Sequence, residues 1–430
     1  MSGQEAKAPP LRFRMSHAES AERAEGELSH AKSAKSAKCA RIIDTPWQRK
    51  RLSELVFFSK GKGYSKSDIM DSGSPLFLYG RLYTDYKTEV ADVDTFAEMQ
   101  KGSVLSNGDE IVVPGSGETP EDIARASAIV AKGIILGGDL NILKPKDSNE
   151  IYTPFLAMAL SNGKASCQIA ERAQGKTVVH IHNSDLEDLV VAYPMSDTEQ
   201  RHIGSFFRSL DALIAGREKA LEKLETLKKS MLLKMFPQGD ATVPEVRFKG
   251  FAGDWEKKAF GEIATRKSIM GNAVSLPRVE YEDVIPFSGF FNKDIFAKPS
   301  DKVGIQFSKG DVLFGKLRPY LGNWIFAEFN GLAVGDWWVL KPAGIDPEFL
   351  YTLIQSPLFQ DVANQSSGSK MPRADWNLVS NTFFACPNSH SEQCQIGAYF
   401  RSLDVLIAAR REEIGKLKQM KKALLERMFV

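Results

Sequence analysis

The chain has 430 residues, 43% of them hydrophobic and 26% charged, enough apolar side chain for two or three cores of ordinary size. With 56 basic against 54 acidic residues the formal net charge is +2, so the overall balance demands no polyanionic partner and leaves any such contact to local patches. No apolar run reaches membrane-spanning length, no secretory signal pattern opens the chain, and 4 cysteines in so long a sequence fit a reducing compartment, so a cytoplasmic protein without a membrane association is expected.

Residues 1–40 are rich in Ala, Ser, Lys and Glu and read as a low-complexity tail that buries little apolar surface. Within it, PPLRF from Pro9 resembles PEVRF from Pro244. A first mixed α and β module is expected over 41–195. Its strand-like runs are IVVP from Ile111, AIVAKGIIL from Ala128, NILKP from Asn141 and TVVHI from Thr177, with a helical pattern in TPFLAMAL from Thr153. A long helix follows over 196–237. A second module over 238–388 offers DVLFGKL from Asp311, NWIFAEF from Asn323 and DWWVLKP from Asp336, with a helix in PEFLYTLIQSPLFQ from Pro347. A second long helix closes the chain over 389–430.

The two halves are copies of one design. Glu199 to Phe236 returns as Glu392 to Phe429 with about half of the positions identical, and GKTVVHIHNSDLEDLVVAYP from Gly175 lies over GSKMPRADWNLVSNTFFACP from Gly368 without a gap. Trp47, Leu52, Glu54 and Leu55 answer Trp255, Phe260, Glu262 and Ile263; Gly108 and Asp109 answer Gly310 and Asp311. Between these landmarks the residues scarcely resemble one another, the pattern of a shared frame carrying different loops.

On the first long helix Ile203, Phe207, Leu210, Ile214, Leu221, Leu224, Met231 and Met235 follow alternating steps of four and three, interrupted at Arg217 and Lys228. The second repeats the stripe with Ile396, Phe400, Leu403, Ile407, Ile414, Leu417, Leu424 and Met428, interrupted at Arg410 and Lys421. A stripe on a helix of about 57 Å does not stay in water, and the simplest cover is the other helix. Heptads alone do not fix whether the pair runs parallel or antiparallel. The basic clusters Lys228, Lys229 and Lys421, Lys422 read singly as solvated helix face.

No nucleotide-phosphate cradle and no aromatic-preceded Pro-Pro element for holding a flipped base is present, so no enzyme is visible. His180 and His182 are spaced for one face of a strand, a metal-pair geometry, but Arg373 and Asp375 take their places in the second copy. Cys39, Cys167, Cys386 and Cys394 have no paired metal spacing, and His17, His30, His202 and His390 stand in no constellation. More suggestive are basic, aromatic and hydroxyl residues in loops and at strand ends. The first module offers Arg81, Tyr83, Lys87, Ser116, Thr119 and His180, and the second Lys316, Arg318, Lys370 and Arg373. Arg and Lys suit guanine edges or phosphates, and hydroxyls and Gly-rich turns suit phosphate oxygens. A solvated surface or a loop capping its own core explains each of them equally well alone. Trp337 and Trp338 read as core.

Taken together, GDVLFGKLRPYLGNWIFAEF, VGDWWVLKP, GSKMPRADW and the paired IGxxFRSLDxLIAxR helices resemble the DNA specificity subunits of type I restriction-modification systems. YGRLYTDYK, GDEIVVPGSGET, GGDLNILKP and QGKTVVHIHNSDLEDL resemble their target-recognition domains, and the resemblance runs from about Trp47 to the C-terminus. It implies an α+β architecture of two similar mixed α/β target-recognition domains joined by two long helices packed as an antiparallel coiled coil about a pseudo-two-fold axis. It also implies a non-catalytic subunit that binds double-stranded DNA, each domain reading one half of an asymmetric site while the helices set the spacer. The implied partners are two adenine-methylating modification subunits using S-adenosylmethionine and ATP-driven restriction subunits with Mg, so no cofactor is expected in this chain. A competing reading is an assembly scaffold of a methyltransferase complex with degenerate DNA binding.

Overall fold

The structure, a computed structural model, describes residues 47–175, 177–297, 301–365 and 371–429; the expected 1–40 tail and Lys370 lie outside them. The chain divides into two compact units, Met1–Ile214 with Leu417–Val430, and Ala215–Lys416. Both boundaries fall inside long helices, Asp197–Lys234 and His390–Met428.

In the first unit a five-stranded sheet runs in the order Val56–Lys60, Leu140–Pro145, Glu110–Pro114, Ser127–Ile129, Glu89–Val90. Its first four strands are antiparallel neighbours. The expected strand AIVAKGIIL is two: Ser127–Ile129 stays in this sheet, while Lys132–Leu136 joins a four-stranded sheet beside Ser74–Phe77. The break falls at Val130 and Ala131, and just beyond it the pairing with Leu105–Asn107 shifts register around Gly133, whose φ of 80° is a left-handed conformation open to glycine. Of TVVHI only Val179–His180 is strand, paired with Ser116–Gly117. The helix Thr153–Ser161 forms as patterned and is buried along nearly its whole length. Its Phe155 packs edge-on to Trp47 at 5.7 Å and also meets Phe429 at 5.6 Å, so the last turn of the second long helix lies in this core.

The second unit repeats the central ladder. Ala264–Lys267, Trp337–Pro342, Val312–Gly315 and Trp324–Phe326 are antiparallel neighbours in that order. Glu256–Ala259 pairs with Phe383–Cys386 as Gln48–Arg51 pairs with Val190–Tyr193 in the first unit. Trp337 and Trp338 are both buried, one against Tyr281 and the other in the core with Phe314. The expected helix from Pro347 is two helices, Pro347–Leu353 and Pro357–Asn364. Pro357 lacks an N–H for the helix before it, and the Ser356 hydroxyl caps the new start by accepting from Phe359 N–H. Phe236 stacks on Phe349 and meets Trp255 edge-on, the counterpart of the Phe429, Phe155 and Trp47 cluster.

Candidate nucleic-acid interface and helix seam

Three of the second module's candidates come together where three loops are tied by backbone hydrogen bonds. Arg318 N–H donates to Pro372 O (2.7 Å), Ala374 N–H to Lys316 O (2.8 Å) and Lys316 N–H to Asp336 O (2.9 Å). Lys316 and Arg373 converge on the Asp336 carboxylate at 3.4 and 3.2 Å. Burial alone would raise the pKa of that carboxyl, but Arg373 and Lys316 outweigh it and hold it below the usual range. Tyr281 braces the junction from beneath: its hydroxyl donates to Asp336 O and accepts from Leu317 N–H at 3.1 Å. Burial pushes that hydroxyl's pKa up. Arg318 is exposed, in left-handed backbone at φ 49°, with no ion-pair partner among the described residues. Beside it stand Tyr320 and Phe287, both more than half exposed. Phe287 is itself left-handed at φ 59°, and its N–H donates to Gly322 O at 2.8 Å. Tyr281 and Phe287 carry no sequence motif, and Asp336 stands in VGDWWVLKP without being singled out as a site residue; only the turn glycines Gly289, Gly322 and Gly335 beside them mark the loops.

The first module places its candidates in two groups. Arg81 is half-buried and held by Asp85 (3.0 Å) and Asp94. Its neighbour Tyr83 has its hydroxyl pKa pushed up to about 12, first by burial and then by Tyr79, with Asp122 and Glu118 adding to it. Lys87 is exposed, 3.9 Å from Asp85. In the other group Ser116 is buried, donating to Asp139 Oδ2 at 3.2 Å with His180 Nδ1 at 3.1 Å. Thr119 is exposed and caps the helix Pro120–Ile123. His180 ends its strand against Ser116, whereas His182 starts the helix Asn183–Glu187 with Nδ1 3.5 Å from Lys60. The two imidazoles thus have different partners and positions, not the common strand face that their spacing suggested.

Every seam residue named from sequence is buried or half-buried. In the first unit Ile203, Phe207, Leu210, Ile214 and Met428 share one core, with Leu417 and Leu424 packed on it. In the second unit Met235, Ile396, Phe400 and Leu403 do the same with Met231 beside them, while Ile407 and Ile414 are buried and Leu221 and Leu224 half-buried. There Arg217 faces Glu413 (3.1 Å), Glu225 faces Arg411 (2.6 Å) and Lys228 faces Asp404 (2.5 Å). Ascending positions on one helix thus meet descending positions on the other. The seam's interruptions are therefore ion-pair positions. Lys421 meets Asp211 at 2.5 Å in the first unit as its repeat equivalent Lys228 meets Asp404 in the second. Three residues earlier in each RSLD segment an arginine links the helix to its own module: Arg208 chelates Glu89 at 2.9 and 3.0 Å, and Arg401 pairs with Glu328.

Residues 45–226 match the family described as Type I restriction modification DNA specificity domain. The specificity subunit of type I restriction enzyme MjaVIII from Methanocaldococcus jannaschii is 21% identical over 409 residues, 89% of this chain and 92% of the relative. The chain is similar to type I restriction-modification specificity subunits. A putative type I specificity subunit from Mycoplasma genitalium is 20% identical over 89% of this chain and 94% of its own length. The EcoDI specificity subunit from Escherichia coli matches over 61% of this chain at 21% identity, covering 66% of its own length. In fold, the chain is similar to the crystal structure of the S subunit from M. genitalium, with a TM-score of 0.62 over 90% of this chain and 97% of that one. A second solved structure, concerned with complex assembly and conformational transition of the type I R-M system, gives 0.53 over 90% of this chain and 98% of that one. The matched family model is one of DNA specificity. Among the described residues no helix is long and apolar enough to cross a membrane.

Proposed function

We propose that this chain is a type I DNA specificity subunit that reads an asymmetric, bipartite DNA site, one half through each module, and that its two long helices pair antiparallel as a coiled coil about a pseudo-two-fold axis to set the spacer between the halves. The observation that carries the reading is the repeated ion pair, Lys421 to Asp211 in one unit and Lys228 to Asp404 in the other. A charged pair inside an apolar seam fixes register, because slipping the helices leaves a charge without its partner. The loops on the repeated frame differ: one module presents Arg318 and Arg373, the other Lys87, Thr119 and His180. Unlike loops on like frames suit two unlike half-sites, and a fixed helical spacer suits the half-site logic of dimeric readers.

On this reading double-stranded DNA is the ligand. Two modification subunits supply adenine methylation with S-adenosylmethionine, and restriction subunits supply ATP- and Mg-dependent translocation and cleavage. The experiment is a genome-wide map of methylated adenine in cells with and without the gene, its neighbouring modification gene being kept. A split motif with two unlike halves that depends on the gene supports the proposal; an unchanged map beside intact binding to the modification subunit favours the assembly scaffold.

A further inference from the structure

His390, without a constellation in the sequence, has one in the fold. It opens the second long helix, Cys394 follows one turn later on the same face, and Asp346 caps the helix Pro347–Leu353 against them. Cys394 Sγ lies 3.3 Å from Asp346 Oδ2 and 3.6 Å from His390 Nε2, and one ligand atom from each of the three lies within 4.8 Å of the others. The other Asp346 oxygen accepts from Phe349 N–H at 2.9 Å, leaving Oδ2 turned toward the thiol.

The first repeat shows what this place holds in the other copy. The Gln200 side-chain oxygen accepts from Tyr152 N–H as Gln393 accepts from Asp346 N–H, so Tyr152 and Asp346 occupy matching positions. By the same repeat Asp197 and Arg201 match His390 and Cys394. In the first unit Arg201 bonds Asp197 at 2.7 Å and lies over the Tyr152 ring at 4.6 Å, a cation joining the helix start to the module. The second unit replaces that cation and its two acceptors with three metal-type donors.

We propose that Asp346, His390 and Cys394 bind a thiophilic divalent transition metal of the zinc class, which clamps the start of the second long helix to its module as Arg201 does in the first. A tetrahedral ion bound at about 2.3 Å to sulfur and about 2.0 Å to nitrogen or oxygen holds its ligand atoms about 3.5 Å apart, and the measured 3.3 and 3.6 Å fit that spacing. His390 is exposed and Cys394 and Asp346 half-buried, so water has access for a fourth position. As the metal binds, the Cys394 thiol proton leaves to solvent and the thiolate takes its place on the ion, which makes uptake weaker as pH falls.

The test is titration of the full chain with Co²⁺, read by the thiolate-to-cobalt absorption band and its displacement by Zn²⁺. One equivalent should saturate the band, Cys394→Ser should abolish it and Cys167→Ser should leave it. The triple change Asp346→Tyr, His390→Asp, Cys394→Arg installs the first repeat's clamp; it should keep the native circular dichroism and thermal midpoint and lose the band. Absence of the band in the unaltered chain, or its survival in Cys394→Ser or in the folded triple variant, overturns the site.

Discussion

Lys228 Nζ lies 2.5 Å from Asp404 Oδ1 on the opposing helix, with their side chains 10% and 2% exposed. The carboxylate also accepts from the Tyr351 hydroxyl, and the ammonium donates to Gln355 Oε1 at 2.6 Å. Burial pushes the Asp404 pKa up against the opposing pull of Lys228. Removing one partner therefore strands a buried charge. Asp404→Ala should cost about 3–5 kcal/mol, and the paired change Lys228→Met, Asp404→Leu should recover most of it. The equivalent Asp211 is 38% exposed, so Asp211→Ala should cost only about 0–1 kcal/mol. Denaturant midpoints of the three variants check the asymmetry; equal losses at Asp404 and Asp211 would remove burial as its cause.

Two glycines should respond with opposite signs. Gly163 has φ 62°, and a Cβ there would stand 1.5 Å from Phe429 O, whose carbonyl accepts from Lys164 N–H. Gly163→Ala adds left-handed strain of about 1–2 kcal/mol to displacement of the C-terminal turn from the first unit's core. Gly216 is exposed on the first long helix with nothing within 4 Å of a Cβ, so Gly216→Ala should stabilise by about 0.5–1 kcal/mol. Thermal unfolding of both variants is the check, and a neutral Gly163→Ala would show that the Phe429 turn is not tightly seated.

At the Asp336 junction the sign of the pH effect follows from a lowered carboxyl pKa. Such a group contributes stability in full above the ordinary carboxylate value of about 4 and loses it as pH falls through the lowered folded value. Exchange of the Lys316, Arg318 and Ala374 amides, corrected for intrinsic rate, should therefore accelerate below about pH 4. Asp336→Asn should bring the same loosening at neutral pH. Unchanged protection in Asp336→Asn would assign the loop's order to Tyr281 and the backbone bonds.

DNA binding separates the roles of the exposed guanidiniums here. If Arg318 or Arg373 reads a base edge, replacing it by Ala costs about 1–3 kcal/mol and relaxes one position of one half-site. A phosphate contact instead weakens all sequences alike and lowers the salt slope by about 1. A salt series on wild-type and scrambled half-sites distinguishes these outcomes, and wild-type binding by both variants would remove this loop cluster from the interface.

The repeat, the long helices and their seam were legible because an apolar period sustained over ten turns has few structural solutions. The partners of the seam's lysines were not, since Asp211 and Asp404 read as ordinary surface acids until the opposing helix is in place. Likewise Asp346 meets His390 and Cys394 only through tertiary packing, which no spacing along the chain encodes. Local chemistry divided the expected helix from Pro347 where apolar pattern alone joined it, at Pro357. Arg81 and Ser116 have the right residue types for a nucleic-acid contact, yet the fold gives both of them internal partners, and composition does not distinguish a partnered group from a free one.

The spacer idea meets its most direct trial in helix length. Because the seam pairs ascending with descending positions, an insertion in one helix alone slides Lys228 away from Asp404. Matched insertions after Ala220 and after Glu412, which lie opposite each other between the pairs at Arg217 and Glu225, should keep both ion pairs. One heptad in each keeps the apolar stripe in phase and adds about 10 Å, or about three base pairs at 3.4 Å each. Methylation mapping should then return the same two half-sequences separated by a longer gap. An unaltered gap with a folded, active complex would mean that something other than these helices sets the distance.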